Sequence, residues 1–567
     1  MSRQLAQTFN NPDLPGEWFE REFGTPPQPH LGHLALPCFK LSKVFRKASD
    51  QIAKDIVEKF QMPGVSVVAA GPYANFRFDV GNLYQNIVSE IFAQKTEFGK
   101  DQSGKDKSVL IEYCSPNIAK KLGFQHIRST LIGNVLANVY RSLGYQTLRM
   151  NFVGDWGAQF ARLFAAVEKW GDRSILAGDN RSAAMDHLFE LYVRFHKEVE
   201  TDPAYQELAI RSLQKLEAQD KTAVDLWRMI REVSLFSVDQ TLARLCVAFD
   251  YVEGESDYIP EISKTLEHVK SKAKAKLSEG AWIVEVPGQT TPALIQKKDG
   301  TTLYLTRDIA AAIHRQERFK LDKMLYVVSE QQKLHFQLLF GVLKLMGYDW
   351  ADKLGHVSFG TVLFGAEKMS TREGRVIFLD ELLNEAKALA LSEVMAKNPD
   401  LADKEAVAEM VGTGAVIFGN LSSHRMTDIE FDWKRVIALD GETGPYVQYS
   451  CVRCSSLIEK AKAKGETSDF TLAESGYEFA PEEENLILML GKARTTLHQV
   501  INDNEPYFLT HYLIDVAKAF NRFYYKLPVL QAVSDNQRRV RLSLVAATNQ
   551  VLLNGLSLLG IRCPKEM

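Results

Sequence analysis

The stretch from Val109 to Gln159 limits what this chain can fold into more than any other. Val109-Leu110-Ile111-Glu112-Tyr113 is a short apolar run of strand-like composition and length. Pro116 ends it, because proline cannot continue the pairing, and is expected to hold Ser115 extended. Ile127, Leu131, Val135 and Val139 then recur at every fourth position, the stripe of an amphipathic helix that ends near Gly144. A second strand is predicted from Thr147 to Val153, stopping at Gly154-Asp155-Trp156-Gly157. Strand, loop, helix, strand is the βαβ unit of a parallel sheet. Open sheets of this kind bind ligands outside the carboxyl ends of their strands, with an anion at the helix N-terminus. The loop in that position carries Asn117, Lys120, Lys121, Gln125, His126 and Arg128, a dense set of donors and cations for an anionic ligand.

Length and composition bound the rest. At 567 residues the chain is too long for one core and suggests about three or four domains. Hydrophobic content of 46% and charged content of 25% fit an ordinary soluble globular protein. No apolar run approaches a membrane span, and the start of the chain lacks the apolar core of a signal peptide, so cytoplasmic residence is expected. The six cysteines are too few and too scattered for a disulfide framework. Cys451 and Cys454, with no second pair or histidine near in sequence, read as one helix face rather than a zinc site. A net charge of −3 neither demands nor excludes nucleic acid, which a local basic face can bind.

Read in order, residues up to roughly 105 suggest a small α+β domain. A helical run is predicted from Ala35-Leu36-Pro37 through Lys54, then a strand over Val65–Ala70. Gly71 to Asp79 alternates aromatic and polar residues, which fits a half-buried edge strand better than a surface for stacking unpaired bases. Thr96 to Ser108 has a linker composition and sets the boundary. From about 160 to 290 the chain is mostly helical and charged, an insertion into the sheet. Strands are expected again at Trp282–Val286, Thr302–Thr306 and Met324–Val328. Arg307-Asp308 follows the second and Ser329 to Phe336 the third, so these polar residues fit the same crevice; Asp308 as a helix N-cap and Gln332 on a surface helix are the simpler readings. Lys368-Met369-Ser370-Thr371-Arg372 lies between two apolar runs with Gly365 and Gly374 beside it. It suits either a polyphosphate-binding loop or a solvated hairpin turn. Beyond about 385, periodic helices fill the chain at Glu385–Met395, Val447–Ala463, Glu483–Val500, Phe508–Tyr525 and Arg538–Leu559, a bundle with a hinge at Gly441–Gly444. Gly412-Thr413-Gly414 is not a dinucleotide fingerprint, and there is no P-loop, no His-x-x-x-His pair and no internal repeat.

The order of these motifs resembles the arginyl-tRNA synthetases, a class I aminoacyl-tRNA synthetase family, over nearly the whole chain. Ser115-Pro116-Asn117-Ile118-Ala119-Lys120 followed by His126-Ile127-Arg128-Ser129-Thr130 is similar to the arginine-specific first signature. Gly154-Asp155-Trp156-Gly157, Tyr304-Leu305-Thr306-Arg307-Asp308 and Lys368-Met369-Ser370-Thr371-Arg372 follow at family-like spacing. Thr443 to Tyr449 resembles the opening of the family's anticodon-binding domain. The resemblance implies an α/β Rossmann-like catalytic domain with a helical insertion (106–415), a small α+β N-terminal domain for the tRNA elbow (1–105) and an all-α anticodon-binding domain (416–567). It implies ATP-dependent ligation of L-arginine to tRNA(Arg) through an arginyl-adenylate, with Mg²⁺ on the phosphates, in a cytoplasmic monomer without membrane association or a protein-bound metal.

Residue roles follow by the same resemblance. A guanidinium is a planar fork of five donors that wants paired carboxylates. Glu112 and Asp308 are similar to the family's acceptors of it, Tyr304 and Gln332 complete that pocket, and Asn117 holds the amino or carboxylate end of arginine. Ser115, Gln125, His126 and Met369 would bind ATP; His126, Lys368, Ser370 and Lys120 would act on the phosphates during adenylate formation. Asn75 and Phe76 match the elbow-contacting stretch; Tyr446, Tyr449 and Arg453 share a helical face that suits a splayed anticodon, and Met567 matches the family's terminal contact. Packing between bundle helices is the other reading of those tyrosines. The chain departs from the pattern at Gly123 and Gln125, where the family's His-x-Gly-His has its first histidine and its glycine, and at Thr371, where a lysine is usual. Lys120 or Lys121 would supply that last charge. The alternative reading is a catalytically impaired paralogue that binds tRNA or regulates.

Overall fold

The computed structural model describes residues 1–118, 120–364, 378–432, 436, 438 and 441–567. The chain forms two compact units. One gathers Met1–Lys95, Leu457–Gly491 and Ala519–Thr548; the other gathers Thr96–Ser456, Lys492–Lys518 and Asn549–Met567.

In the first unit, strands β1 (Leu34–Pro37), β2 (Val65–Ala70) and β3 (Tyr73–Phe78) form an antiparallel sheet in the order β1-β3-β2. Two expectations are corrected here. Residues 35–37 are a strand, not a helix start; the helices Phe39–Phe45 and Ser49–Lys59 come after it. And β3 is the central strand rather than an edge, pairing on both sides. Phe76 is fully buried, edge-on to Phe23 and Phe60 at ring-centroid distances of 5.5 and 5.4 Å, and Asn75 is buried with it. The ring packs the core and is closed to a nucleobase.

The second unit is built on a five-stranded parallel sheet. Its strands are β4 (Ser108–Glu112), β5 (Gln146–Val153) and β6 (Tyr251–Gly254). After a separate antiparallel sheet of β7 (Lys276–Ser278), β8 (Ala281–Val284) and β9 (Ala293–Gln296), the chain returns as β10 (Lys323–Tyr326) and β11 (Leu354–His356). The order is β11-β10-β4-β5-β6. β4 sits in the middle with all five residues buried, which is why it reads as an unbroken apolar run. Its crossover is the helix Ile127–Ser142, as the four-residue stripe predicts.

Local composition misleads at three places. The expected strand over 282–286 exists as β8 but belongs to the antiparallel sheet. The expected strand over 302–306 is instead the start of a helix, Tyr304–Phe319, because Leu305, Ile309 and Ala312 form a core-facing stripe at helical spacing. The edge strand β6 carries too little apolar pattern to announce itself. Between β5 and β6 lies the helical insertion, with long helices at Arg181–Thr201, Pro203–Glu217 and Lys221–Arg244. The short strands β12 (Val362–Phe364) and β13 (Ile429–Phe431) pair in parallel, 67 residues apart. Beyond the sheet, helices run over Leu379–Lys397, Lys404–Leu421, Gly444–Lys462, Tyr507–Lys526 and Asp535–Leu559. Gly412 allows the first two to touch, since a Cβ there would stand 2.6 Å from the Ala386 carbonyl oxygen. The single helix expected over 483–500 is two, Pro481–Leu490 and Ala493–Asp503. By length and composition Asp535–Leu559 could cross a membrane, against the expectation that no run would, but it is mostly buried, as a core helix is.

Candidate active site

β4 is the first strand of the parallel sheet, and the chain adds β5 and β6 on one side of it and β10 and β11 on the other. The carboxyl ends of β4 and β10 therefore flank a topological switch point, where such sheets open a crevice. The loop leaving β4 crosses this crevice in a strained conformation. Cys114 and Ser115 both have positive φ, +71° and +46°, at a cost of about 1–2 kcal/mol each. Ser115 is thus left-handed, not extended as Pro116 led one to expect. Specific hydrogen bonds hold the turn. The Cys114 N–H donates to Ser129 Oγ at 3.0 Å, Ser129 Oγ donates to the Val327 carbonyl at 2.6 Å, and the Ser115 N–H donates to Asn151 Oδ1 at 3.1 Å.

His126 closes the loop immediately before the helix Ile127–Ser142, so its ring stands at a helix N-terminus. Nδ1 donates to the Cys114 carbonyl at 3.2 Å. Burial, with Lys120 adding a like charge, pushes the ring's pKa down to about 4. Lys120 and Asn117 lie at the surface of the crevice, Gln125 is exposed, and Lys121 is engaged with Asp186 at 2.5 Å. Arg128 does not belong to the anion-binding set in which its spacing placed it. It is 1% exposed and donates to the carbonyls of Gly360, Thr427 and His424 at 3.0, 2.7 and 3.4 Å.

Lys368, Met369, Ser370 and Thr371 lie outside the described residues. Their described flanks meet the first loop: Phe378 bridges Gly123, and the Leu379 N–H donates to the Leu122 carbonyl at 2.9 Å.

Carboxylates collect around the last residue of β4. Glu112, the last residue of β4, is buried and already holds a guanidinium, because Arg315 on the helix Tyr304–Phe319 donates to it through Nη1. The same Arg315 donates through Nε to Glu253 at 3.2 Å, while its plane lies over the Phe152 ring at 4.8 Å. Burial pushes the Glu112 carboxyl up, against the opposing charge of Arg315. An internal arginine therefore takes the partner that the family resemblance gives to substrate. Asp308 sits inside the helix, neither at a strand end nor as an N-cap, and pairs with His335 Nε2 at 2.6 Å. Glu255 holds Arg307 at 2.5 Å, and burial raises its pKa to about 7, with Arg307 lowering it. Tyr304 is 59% exposed under the Arg307 guanidinium, and Gln332 is exposed at the end of the turn after β10. Asp155 is fully buried between the Ser256 N–H and hydroxyl and Arg231, joining β5 to the insertion. Sequence reasoning missed Arg315, Glu253 and Glu255, while His335 lies in the polar run after β10 that was expected at the crevice. The signal for Arg315 was its seven-residue spacing from Asp308, two helical turns, hidden once residues 302–306 were read as a strand.

In the same unit Tyr446, Tyr449 and Arg453 lie on the helix Gly444–Lys462, with the Arg453 guanidinium 4.9 Å from the centre of the Tyr449 ring. Tyr449 and Met567 share a pocket of about 140 Å³ with Ala390, Glu393, Val394, Lys397 and Val411. Met567 is half-buried there rather than projecting. Among the described residues, no group of three or more His, Cys, Asp or Glu side chains is placed to hold a metal.

A parallel sheet whose switch point carries a strained loop, a helix N-terminus and a group of carboxylates defines a class I tRNA synthetase catalytic domain, and the family model of that description, class I (R), matches residues 87–433. The arginyl-tRNA synthetase N-terminal domain matches residues 2–78 and the DALR anticodon-binding domain residues 447–567. Arginine–tRNA ligase from Clostridioides difficile is 41% identical over 98% of this chain and 97% of its own length; arginine–tRNA ligase 1 from Bacillus cereus is 40% identical over 96% and 95%. The structure of Thermus thermophilus arginyl-tRNA synthetase superposes with a TM-score of 0.83 at 25% identity, covering 100% of this chain and 99% of that one. The chain belongs to the arginyl-tRNA synthetase family, class I arginine–tRNA ligases.

Proposed function

We infer that this chain ligates L-arginine to tRNA(Arg) in two steps. The arginine carboxylate attacks the α-phosphorus of ATP and pyrophosphate leaves; the terminal adenosine hydroxyl of tRNA then attacks the acyl carbon and AMP leaves. The observation that carries the reading is that an acidic cluster and a helix N-terminus both adjoin the carboxyl end of β4 in a chain of this family. In-line displacement of this kind requires positioning and charge stabilisation above all.

The guanidinium of the substrate is assigned to Asp308, with Tyr304 and Gln332 completing the pocket and Glu112 behind it, its charge balanced by Arg315. Asn117, on the strained loop, takes the amino or carboxylate end. ATP is assigned to Ser115, Gln125 and His126 at the helix N-terminus, which favours anions. The Ser115 hydroxyl, buried without a partner among the described residues, is a donor left over for a ligand. His126 and Lys120 on this side, with Lys368, Met369 and Ser370, are assigned to the triphosphate. Mg²⁺ would sit on the phosphates of ATP, where this small cation keeps most of its waters and takes phosphate oxygens.

Tyr446, Tyr449, Arg453 and Met567 are assigned to tRNA; Phe76 and Asn75 are not, because both side chains are buried in the core of the first unit. Residues 1–105, 106–415 and 416–567 are assigned to elbow recognition, catalysis and anticodon recognition, and the matched spans 2–78, 87–433 and 447–567 support that order. We place the enzyme in the cytoplasm as a monomer.

The test is ATP-dependent charging of a tRNA(Arg) transcript with labelled arginine. The parent should charge it, Asp308→Asn should raise the arginine KM, and His126→Ala should lower kcat. A parent that binds the transcript but never charges it would refute the enzyme reading. Gly123 and Gln125 would then mark a catalytically impaired tRNA-binding paralogue, a reading no present observation favours.

A further inference from the structure

Three of the six cysteines, two on one helix and one more than a hundred residues later, come together near the end of the chain. Cys451 and Cys454 are one turn apart on the helix Gly444–Lys462, and both are buried. Cys563 arrives from the tail that follows the helix Asp535–Leu559. The tail is fixed along the first helix by the Gln448 side chain, whose Nε2 donates to the Arg562 carbonyl at 2.7 Å. The Cys563 thiol in turn donates to the Gln448 carbonyl at 3.7 Å. Gln448 and Cys451 share a helix face at three-residue spacing, so a thiol seated on the Gln448 carbonyl stands beside Cys451. Burial pushes the Cys451 thiol far up, so it does not react first. Cys563 is half-buried and is the member of the trio that a small solute reaches. Four residues on, Met567 shares its pocket with Tyr449.

We propose that Cys563 and Cys451 form an oxidisable dithiol, whose disulfide pulls the C-terminal tail onto the helix that carries Tyr446, Tyr449 and Arg453. The oxidant is a hydroperoxide. The Cys563 sulfur attacks its O–O bond and becomes a sulfenic acid, releasing one water when the oxidant is hydrogen peroxide. The Cys451 sulfur then displaces the sulfenic oxygen, which leaves as a second water with the Cys451 proton. Two thiols and one peroxide thus give one disulfide and two waters, and a dithiol reductant restores the thiols. The two sulfurs must close to roughly 2.05 Å, so the tail is drawn inward and Met567 shifts against Tyr449. The consequence for tRNA rests on the charging function proposed above; the disulfide itself does not.

The full-length protein is treated with hydrogen peroxide, alkylated and digested, and its peptides are weighed. The expected product is a Cys451–Cys563 cross-linked peptide that dithiothreitol reverses, that persists in Cys454→Ser and that is absent from Cys563→Ser. Full alkylation of all six thiols after peroxide overturns the proposal, as does Cys563 recovered as sulfinic acid without a cross-link, or a cross-link to any other cysteine. In the charging assay the cross-linked protein should show a tRNA KM raised several-fold with the arginine KM unmoved. An unchanged tRNA KM in fully cross-linked protein overturns the link to anticodon binding. Because the mass readout needs no charging, a parent that cross-links but never charges tRNA sinks the proposed function and leaves the dithiol standing.

Discussion

Replacing Arg315 by methionine keeps an unbranched apolar stem and removes the cation that Glu112 and Glu253 share. Arg315 is 1% exposed and Glu112 5%, so water cannot take its place. Removing one partner of a buried ion pair costs about 3–5 kcal/mol, most of it the uncompensated charge left behind. At about 1.4 kcal/mol per decade, amides of β4 and of the helix Tyr304–Phe319 should exchange with solvent roughly a hundred- to a few thousand-fold faster once corrected for intrinsic rates. The deficit must also depend on pH, with a definite sign. Burial already holds the Glu112 carboxyl above its usual range against the pull of Arg315, and without Arg315 it rises further. A carboxyl raised in the folded state binds more protons there than in the unfolded chain. Stability therefore falls as pH climbs above the unfolded value, and the variant should be worst at pH 8 and recover towards pH 5. Adding Glu112→Gln should restore a large part of the loss, because a neutral amide needs no counter-ion, while Glu253 keeps Arg318 at 3.4 Å and the Tyr258 hydroxyl. Less than a tenfold change in exchange, a deficit flat with pH, or a double variant as weak as the sum of its parts would each refute the reasoning.

Three further outcomes follow from the same geometry. Phe76→Ala should cost about 3–5 kcal/mol of stability in the first unit by opening a cavity among Phe23, Phe60 and Leu36, read by denaturation, with tRNA affinity of the folded fraction unchanged. Gly133→Ala should lower the melting temperature through about 1–3 kcal/mol of overpacking, since its Cβ would stand 2.2 Å from Tyr113 Cγ in the core; an unchanged melting point would show that the ring moves freely. His126 has a depressed pKa, so the stability of its neutral ring is present above the unfolded value of about 6.5 and is lost as pH falls towards 4. His126→Gln should flatten that acid limb of melting temperature against pH.

The central βαβ unit was legible because its signals are local. An apolar run as long as β4 and a stripe every fourth residue survive without knowledge of the rest of the chain. The crevice followed from it by the general rule for open sheets. Thr302 to Thr306 failed because β-branched and aromatic residues favour a strand locally, while the packing of Leu305 and Ile309 chose a helix. Phe76 failed for a related reason, since alternation along a strand does not say which face is the core. The Glu112–Arg315 pair spans 203 residues of sequence and has no local signature at all. The roles given to arginine-binding residues came from family resemblance rather than from periodicity, and Arg315 is where the two needed each other.

Arg128 binds three carbonyls that come late in the chain, the Thr427 oxygen lying 299 residues after it. Seen in time rather than space, its guanidinium is a debt incurred early in translation. At about 5–20 residues per second, some 15–60 s separate the synthesis of Arg128 from that of the segment that receives it. Through that interval the helix Ile127–Ser142 can bury its first turn only by leaving the Arg128 charge without those carbonyl partners. A chain truncated before residue 424 is therefore expected to leave the Arg128 guanidinium without two of its three carbonyl partners, those of His424 and Thr427.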